Sequence, residues 1–85
     1  MKVLIPSALR SYTEAAQTDA SGATLAAVLA DLDRLYPGIR FRMIDEQNRI
    51  RAHIRFFVNG TQARDIALPL NPCDELVIVQ ALSGG

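Results

Sequence analysis

A single cysteine, Cys73, leaves no possibility of an internal disulfide, so packing and hydrogen bonding must hold this chain together. That agrees with a reducing, cytoplasmic setting. Excess charge is also missing: nine basic and nine acidic residues cancel, which removes the bulk electrostatic argument for a nucleic-acid or anionic-membrane partner. Apolar runs are only a few residues long, too short to span a bilayer, and Met1-Lys2 leads into a strand pattern without a signal-peptide core. There is no Gly-x-x-x-x-Gly-Lys-Ser/Thr loop for a nucleotide and no ligand cluster at metal-binding spacing. The chain thus lacks the parts of an ATP-dependent enzyme.

What remains is a compact apolar composition. At 85 residues and 49% hydrophobic, the chain suits one domain with a modest core and no room for a deep substrate cavity. Lys2 to Pro6 is short and branched, with Val3 and Ile5 facing one way and Lys2, Leu4 and Pro6 the other. Ser7 to Thr13 reads as a turn region and Ala15 to Asp19 as a returning strand. Thr24 is a good N-cap for a helix whose apolar stripe is Leu25, Val28, Leu29, Leu32 and Leu35, with Asp31, Asp33 and Arg34 on a solvated face. Pro37-Gly38 stops it. Ile39 to Ile44 fits one helical turn, and Asp45 to Asn48 a polar loop.

Arg51 to Val58 then alternates, with Ile54, Phe56 and Val58 on one side and Arg55 and Phe57 on the other. Asn59-Gly60 is a strong hairpin signal, because a type I′ turn needs positive φ at both central residues. A return strand over Thr61 to Arg64, a loop over Asp65 to Pro72, a turn at Pro72-Cys73-Asp74 and a final strand over Glu75 to Leu82 complete the order. The last strand is the most apolar and is therefore expected at the centre of its sheet. Strand, strand, helix, strand, strand, strand describes an α+β fold: a ubiquitin-like β-grasp, a mixed sheet of about five strands with one main helix packed on one face. Other five-strand α+β arrangements share the pattern. The domain is expected over 1–82, with 83–85 as a flexible tail.

That tail is the chemical feature. A carboxyl group carried on Gly84-Gly85 has no Cβ near it and can enter a narrow active site in backbone conformations other residues avoid. It reads as a substrate, the alternative being a remnant of a longer chain. On the sheet face away from the helix, Leu4, Phe57, Val77 and Val79 are expected to line up as an apolar partner-binding patch at the root of the tail, unless loop 65–72 or a second copy covers it. Arg49, Arg51 and Arg55 alternate and would share a face, either solvated or facing an anion or acidic partner. A Cys73–His53 pair and a cation at Asp45-Glu46 are conceivable sites, each set against an ordinary solvated role.

The whole chain resembles the ubiquitin-like sulfur-carrier family that includes the ThiS and MoaD proteins and their cysteine-biosynthetic relatives. The likeness rests on Lys2-Val3-Leu4-Ile5, Leu9-Arg10, Thr24-Leu25, Tyr36-Pro37-Gly38, Phe57-Val58-Asn59-Gly60, Asp74-Glu75-Leu76 and Gly84-Gly85 in that order. Pro72-Cys73 stands where the family often has Asp-Gly, and Ala81-Leu82 where many members have prolines. The resemblance implies a carrier without catalytic residues or a bound cofactor. An E1-like adenylyltransferase would use ATP to activate the Gly85 carboxylate, with Leu82, Ser83 and Gly84 as the rest of the tail. A sulfur donor would convert it to a thiocarboxylate, and a sulfur-accepting synthase would use it in thiamine, molybdopterin, cysteine or related biosynthesis. Conjugation to lysines through Gly85, as a protein modifier, and an inert interaction module are the alternatives; Lys2 is the only lysine.

Overall fold

The computed structural model describes residues 1–81. The first strand, β1 (Lys2–Leu4), ends before Pro6, which has no amide to donate to a ladder. A 3-10 turn over Ser7–Leu9 then runs into the short helix α1 (Arg10–Thr13), so the segment expected as a turn is helical. Its length explains the miss: two single turns are too short to show a period, although Leu9 is buried. The strand β2 (Gln17–Asp19) returns antiparallel to β1, pairing Val3 with Thr18.

The helix α2 (Leu25–Leu35) starts where the first three amides of the helix, which have no partner within it, all find acceptors. Leu25 N–H donates to the Leu68 carbonyl at 3.0 Å and Ala26 N–H to that of Ile66 at 2.7 Å. Ala27 N–H donates to the Thr24 hydroxyl at 3.2 Å, and Val28 N–H closes the first helical bond on the Thr24 carbonyl. Loop 65–70 is therefore tied to the start of α2. Gly22 lies directly beneath this turn, where a Cβ would come within 2.6 Å of the Val28 nitrogen. No side chain fits there.

Leu25, Val28, Leu29 and Leu32 are fully buried, whereas Leu35, expected on the same stripe, is 40% exposed. At 3.6 residues per turn Tyr36 lies only about 20° around the axis from Leu25, and Leu35 about 80°. Tyr36 thus continues the stripe, half-buried, with its hydroxyl 2.6 Å from that of Thr18. Asp31 and Asp33 do more than face solvent. Asp31 accepts from Ser21 N–H and pairs with Arg34; Asp33 accepts from the amides of Gly38 and Arg40, tying α2 to α3 (Ile39–Met43). Gly38, at φ 97°, makes the reversal between the helices.

The strand β3 (Ile54–Val58) begins three residues later than the alternation from Arg51 suggested. Residues 51–54 form a turn anchored on α3, with Arg51 N–H on the Met43 carbonyl and Ile54 N–H on that of Arg51. Asn59 and Gly60 have φ of 50° and 86°, as the hairpin requires, and β4 (Thr61–Ala63) follows. The last strand, β5 (Glu75–Gln80), pairs parallel with β1 and antiparallel with β3, giving the order β2-β1-β5-β3-β4. The last strand is central, with α2 across one sheet face. This is the ubiquitin-like β-grasp arrangement.

Asn59 has a second role that its turn position conceals. Its side chain donates to Asp74 at 2.9 Å and accepts from Glu75 N–H at 2.9 Å, while Asp74 also accepts from Asn71 N–H at 2.8 Å. The hairpin turn is thereby fastened to the start of β5. The Asn71 amide first, and the Asn59 side chain second, hold the Asp74 carboxyl below the usual carboxylate range. A depressed carboxylate stabilises the fold above its unfolded pKa, about 3.9, and that contribution disappears as pH falls through the lower folded value. Asp31, held down chiefly by Ser21 N–H, and Asp45, chiefly by Arg49 N–H, act in the same direction. Melting temperature should accordingly be level near neutrality and fall below about pH 4. Asp74→Asn should melt lower than the parent at pH 7 and converge with it as pH falls through the lowered folded pKa of Asp74, below which both side chains are uncharged. A constant gap across that range would assign the effect to something other than the carboxylate's charge.

Candidate functional site

Strand alternation divides the sheet cleanly. Val3, Leu76, Ile78, Ile54 and Phe56 point under α2 and are buried. The opposite face carries the other set. Leu4 pairs with Val77 across β1 and β5, and Val77 with Phe57 across β5 and β3, so the three form one row over the central strands. Gln17 and Gln62 stand opposite the two ends of that row on β2 and β4, giving an apolar centre with a polar rim. Leu4, Val77 and Phe57 are half-buried; Val79, on the same face, is 37% exposed and sits opposite Arg55. The four residues expected to form the patch share one face, and a shallow hollow of about 380 Å³ runs along its β1/β5 side beside Arg10. Loop 65–72, the expected competitor for this surface, is instead bound to the start of α2.

Val79, the fourth member of the patch, stands one residue before the end of β5, where the chain leaves the sheet. Ile54 pairs with Gln80, and Ala81 N–H donates to the His53 carbonyl at 2.8 Å, fixing the final described residue against the start of β3. Leu82, Ser83, Gly84 and Gly85, the tail expected to carry the chemistry, lie outside the described residues.

The other candidate sites come apart. Cys73 is exposed in the turn before β5, at the end of the sheet where Glu75 meets Asn59, whereas His53 lies at the end where Ala81 departs. The full length of β3 separates them. Asp45 is occupied by the amides of Gln47 and Arg49 and by the Arg49 guanidinium at 3.5 Å. Among the described residues no group of three His, Cys, Asp or Glu side chains is placed to hold a metal, and no helix is long and apolar enough to cross a membrane.

The three arginines expected to share a strand face do not do so, because the strand begins only at Ile54. Arg49 turns to Asp45, Arg55 stands on the outer sheet face, and Arg51 lies over the Phe41 ring at 4.6 Å from its centroid. Phe41, absent from the sequence reading, is 56% exposed. Its only available signal was an apolar residue flanked by Arg40 and Arg42 in a segment too short to fix a face.

The ThiS family model matches residues 3–85, nearly the entire sequence. The chain belongs to the ThiS family. Within it, the chain is 34% identical to the sulfur carrier protein CysO of Mycobacterium tuberculosis over 89 residues, covering 98% of this chain and 96% of the relative. The crystal structure of that protein superposes with a TM-score of 0.90 at 31% identity, over 95% of this chain and 98% of the other. A chain of the Amycolatopsis orientalis BexX/CysO complex gives 0.91 at 28% identity, covering 99% and 98%. The small archaeal modifier protein 1 of Methanosarcina acetivorans gives 0.82 at 26%, over 99% and 94%. Two kinds of ubiquitin-like protein, sulfur carriers and modifiers, thus share this ThiS-family fold.

Proposed function

We propose that this chain is a sulfur carrier, without catalytic activity of its own, and that the carboxyl group of Gly85 holds the sulfur. The class follows its relatives: the ThiS family matches throughout, and the protein 34% identical to it is named a sulfur carrier. The observation that extends this to particular residues is the register of β5. The central strand presents Val77 and Val79 on an open apolar face and then reaches Ala81, four residues before Gly85. Four extended residues span at most about 14 Å. A partner seated on Leu4, Val77, Phe57 and Val79 has the carboxyl group within that reach, so affinity comes from the sheet and chemistry from the tail.

The chemistry requires activation, because a carboxylate is a poor electrophile with no adequate leaving group. In the proposed first step a Gly85 carboxylate oxygen attacks the α-phosphorus of ATP bound by an E1-like adenylyltransferase, giving the acyl adenylate and pyrophosphate. Sulfide delivered by a donor then attacks the acyl carbon, the bond to AMP breaks, and a thiocarboxylate remains. Its sulfur is the nucleophile presented to the accepting synthase. No electron transfer occurs in either step, and this chain supplies only the carboxyl group and the surface that delivers it.

The likeness to the small archaeal modifier favours a second reading in which a lysine amine attacks the same adenylate. Lys2, the only lysine in the sequence, is paired with Glu75 at 3.4 Å, both side chains about half-exposed, so chains linked to one another would have to grow from that position. The step shared by both readings is tested by ATP–pyrophosphate exchange with each E1-like enzyme encoded in the source genome. Exchange should depend on the full-length chain; exchange at background rate in its presence would remove carrier and modifier together.

A further inference from the structure

Charge is distributed far less evenly in space than its zero sum suggests. Between residues 39 and 55 there are five arginines against Asp45 and Glu46, and Asp45 is committed to Arg49. Arg40 turns to Asn48, and the other three, Arg42, Arg51 and Arg55, border two neighbouring hollows. Phe41, Arg42, Arg51 and His53 line a hollow of about 250 Å³, and the carbonyl of His53 is the one that holds Ala81 N–H. Arg51 also borders a second hollow, of about 210 Å³, together with Arg55 and Arg64.

Two of these guanidinium groups are fixed without being neutralised. Arg51 stacks on Phe41 and its Nε donates to the Phe41 carbonyl at 2.7 Å, while Arg55 Nη1 donates to the carbonyls of Ala52 and Ile54. Arg42 is exposed. Among the described residues none of the three has a carboxylate within salt-bridge distance, the ion pairs there being Lys2–Glu75, Arg34–Asp31 and Arg49–Asp45. Neutral backbone acceptors hold the Arg51 and Arg55 side chains in place without an ion pair, Asp45 acting on Arg51 only through its longer-range field. A planar guanidinium with its orientation already set loses less freedom on gripping a carboxylate and can do so through two parallel bonds. Arg55 also adjoins Val79 on the apolar face, on the side nearer Ala81, so the basic hollow continues the surface already described.

We infer that Arg42 and Arg51 beside Phe41, with Arg55 on the adjoining hollow, dock a carboxylate-rich segment at the mouth of the E1-like enzyme that receives Gly85. The identity of that partner rests on the carrier reading; the preference for carboxylates rests on the charge arrangement. The apolar row sets how tightly the partner is held, while the basic hollow steers the tail toward its entrance. Such steering acts mainly on the association rate and weakens with salt.

The test has two arms. In the first, the isotope-labelled full chain is titrated at low salt with an oligoglutamate peptide, an oligoglutamine peptide of the same length and oligothymidylate. Oligoglutamate should shift the amides of Phe41, Arg42, Arg51, His53 and Arg55, the shifts should shrink with added salt, and oligoglutamine should leave them in place. Shifts that are absent or equal for the two peptides, or a stronger response to oligothymidylate, overturn the inference. In the second arm the exposed pair Arg42→Gln/Arg55→Gln, with its fold checked by the same spectrum, should associate with the E1-like enzyme about tenfold more slowly than the parent and with a flatter salt dependence. Parental rate and salt dependence in that variant overturn the inference while the carrier reading stands. If the enzyme activates neither protein, the carrier reading falls and takes the named partner with it.

Discussion

Deleting Gly84 and Gly85 is expected to abolish activation by the E1-like enzyme while leaving the melting temperature within a degree or so of the parent, since two terminal glycines carry no side chain to bury. The first part follows from chemistry. The truncated chain would offer the carboxyl group of Ser83, set back by two residues and crowded by a side chain, to a site entered by a backbone without Cβ atoms. The second follows from the core, which is assembled from α2, the inner sheet face and α3 within residues 3–78. ATP–pyrophosphate exchange and thermal unfolding of the same preparation read both quantities. Parental exchange from the truncated chain would remove Gly85 from the mechanism, and a large drop in melting temperature would give the tail a structural role.

The second large effect is expected on the outer sheet face. Val79→Asp should weaken binding to the activating enzyme by more than about tenfold, because it puts a carboxylate into an apolar contact and, standing opposite Arg55, ties up a cation of the same surface. Val79 is 37% exposed, so the isolated domain should tolerate the change. Phe57→Asp should weaken binding at least as much but at a greater cost in stability, the ring being half-buried in the row with Val77. The comparison is informative because the two residues share a face and differ in burial. Calorimetric binding and thermal unfolding of both variants separate the contributions. Parental affinity in a folded Val79→Asp chain would move the docking surface elsewhere.

How far the sequence revealed this molecule depended on the length of each pattern. The helix α2 was legible because Thr24 marks its start and four buried positions repeat within it. Asn59-Gly60 was legible because few dipeptides tolerate two positive φ angles in succession. Once β3 and β5 were recognised as alternating, the outer face followed without further information, since each side chain in a strand has only two directions available. Leu35 falls off the buried stripe because it and Tyr36, the eleventh and twelfth positions counted from Leu25, stand about 80° and 20° from it around the axis, a difference that apolarity alone does not show.

The residues that escaped depend on tertiary neighbours. Gly22 looks like any loop glycine until α2 is packed above it. Asn59, Asp74 and Asn71 are ordinary turn residues in sequence, and only the approach of two turns makes them a network. The basic hollow is the clearest case. Arg42 and Arg51 are nine positions apart and separated by a polar loop, and it is the Ile44–Ile50 bridge that folds α3 back against the start of β3 and brings them to Phe41. No local periodicity encodes that meeting.

The central claim is that Gly85 is converted to a thiocarboxylate, and mass measurement tests it most directly. Cys73→Ala removes the only cysteine, exposed in its turn, where a persulfide would otherwise imitate the product. Incubated with ATP, the E1-like enzyme and a sulfide source, this variant should gain the mass of one oxygen-to-sulfur exchange. Fragmentation should place the exchange at Gly85, and omission of ATP should prevent it. An unchanged mass accompanied by amide-linked products ending in Gly84-Gly85 on lysines would make the protein a modifier, and an unchanged mass with no adenylate and no conjugate would contradict the account.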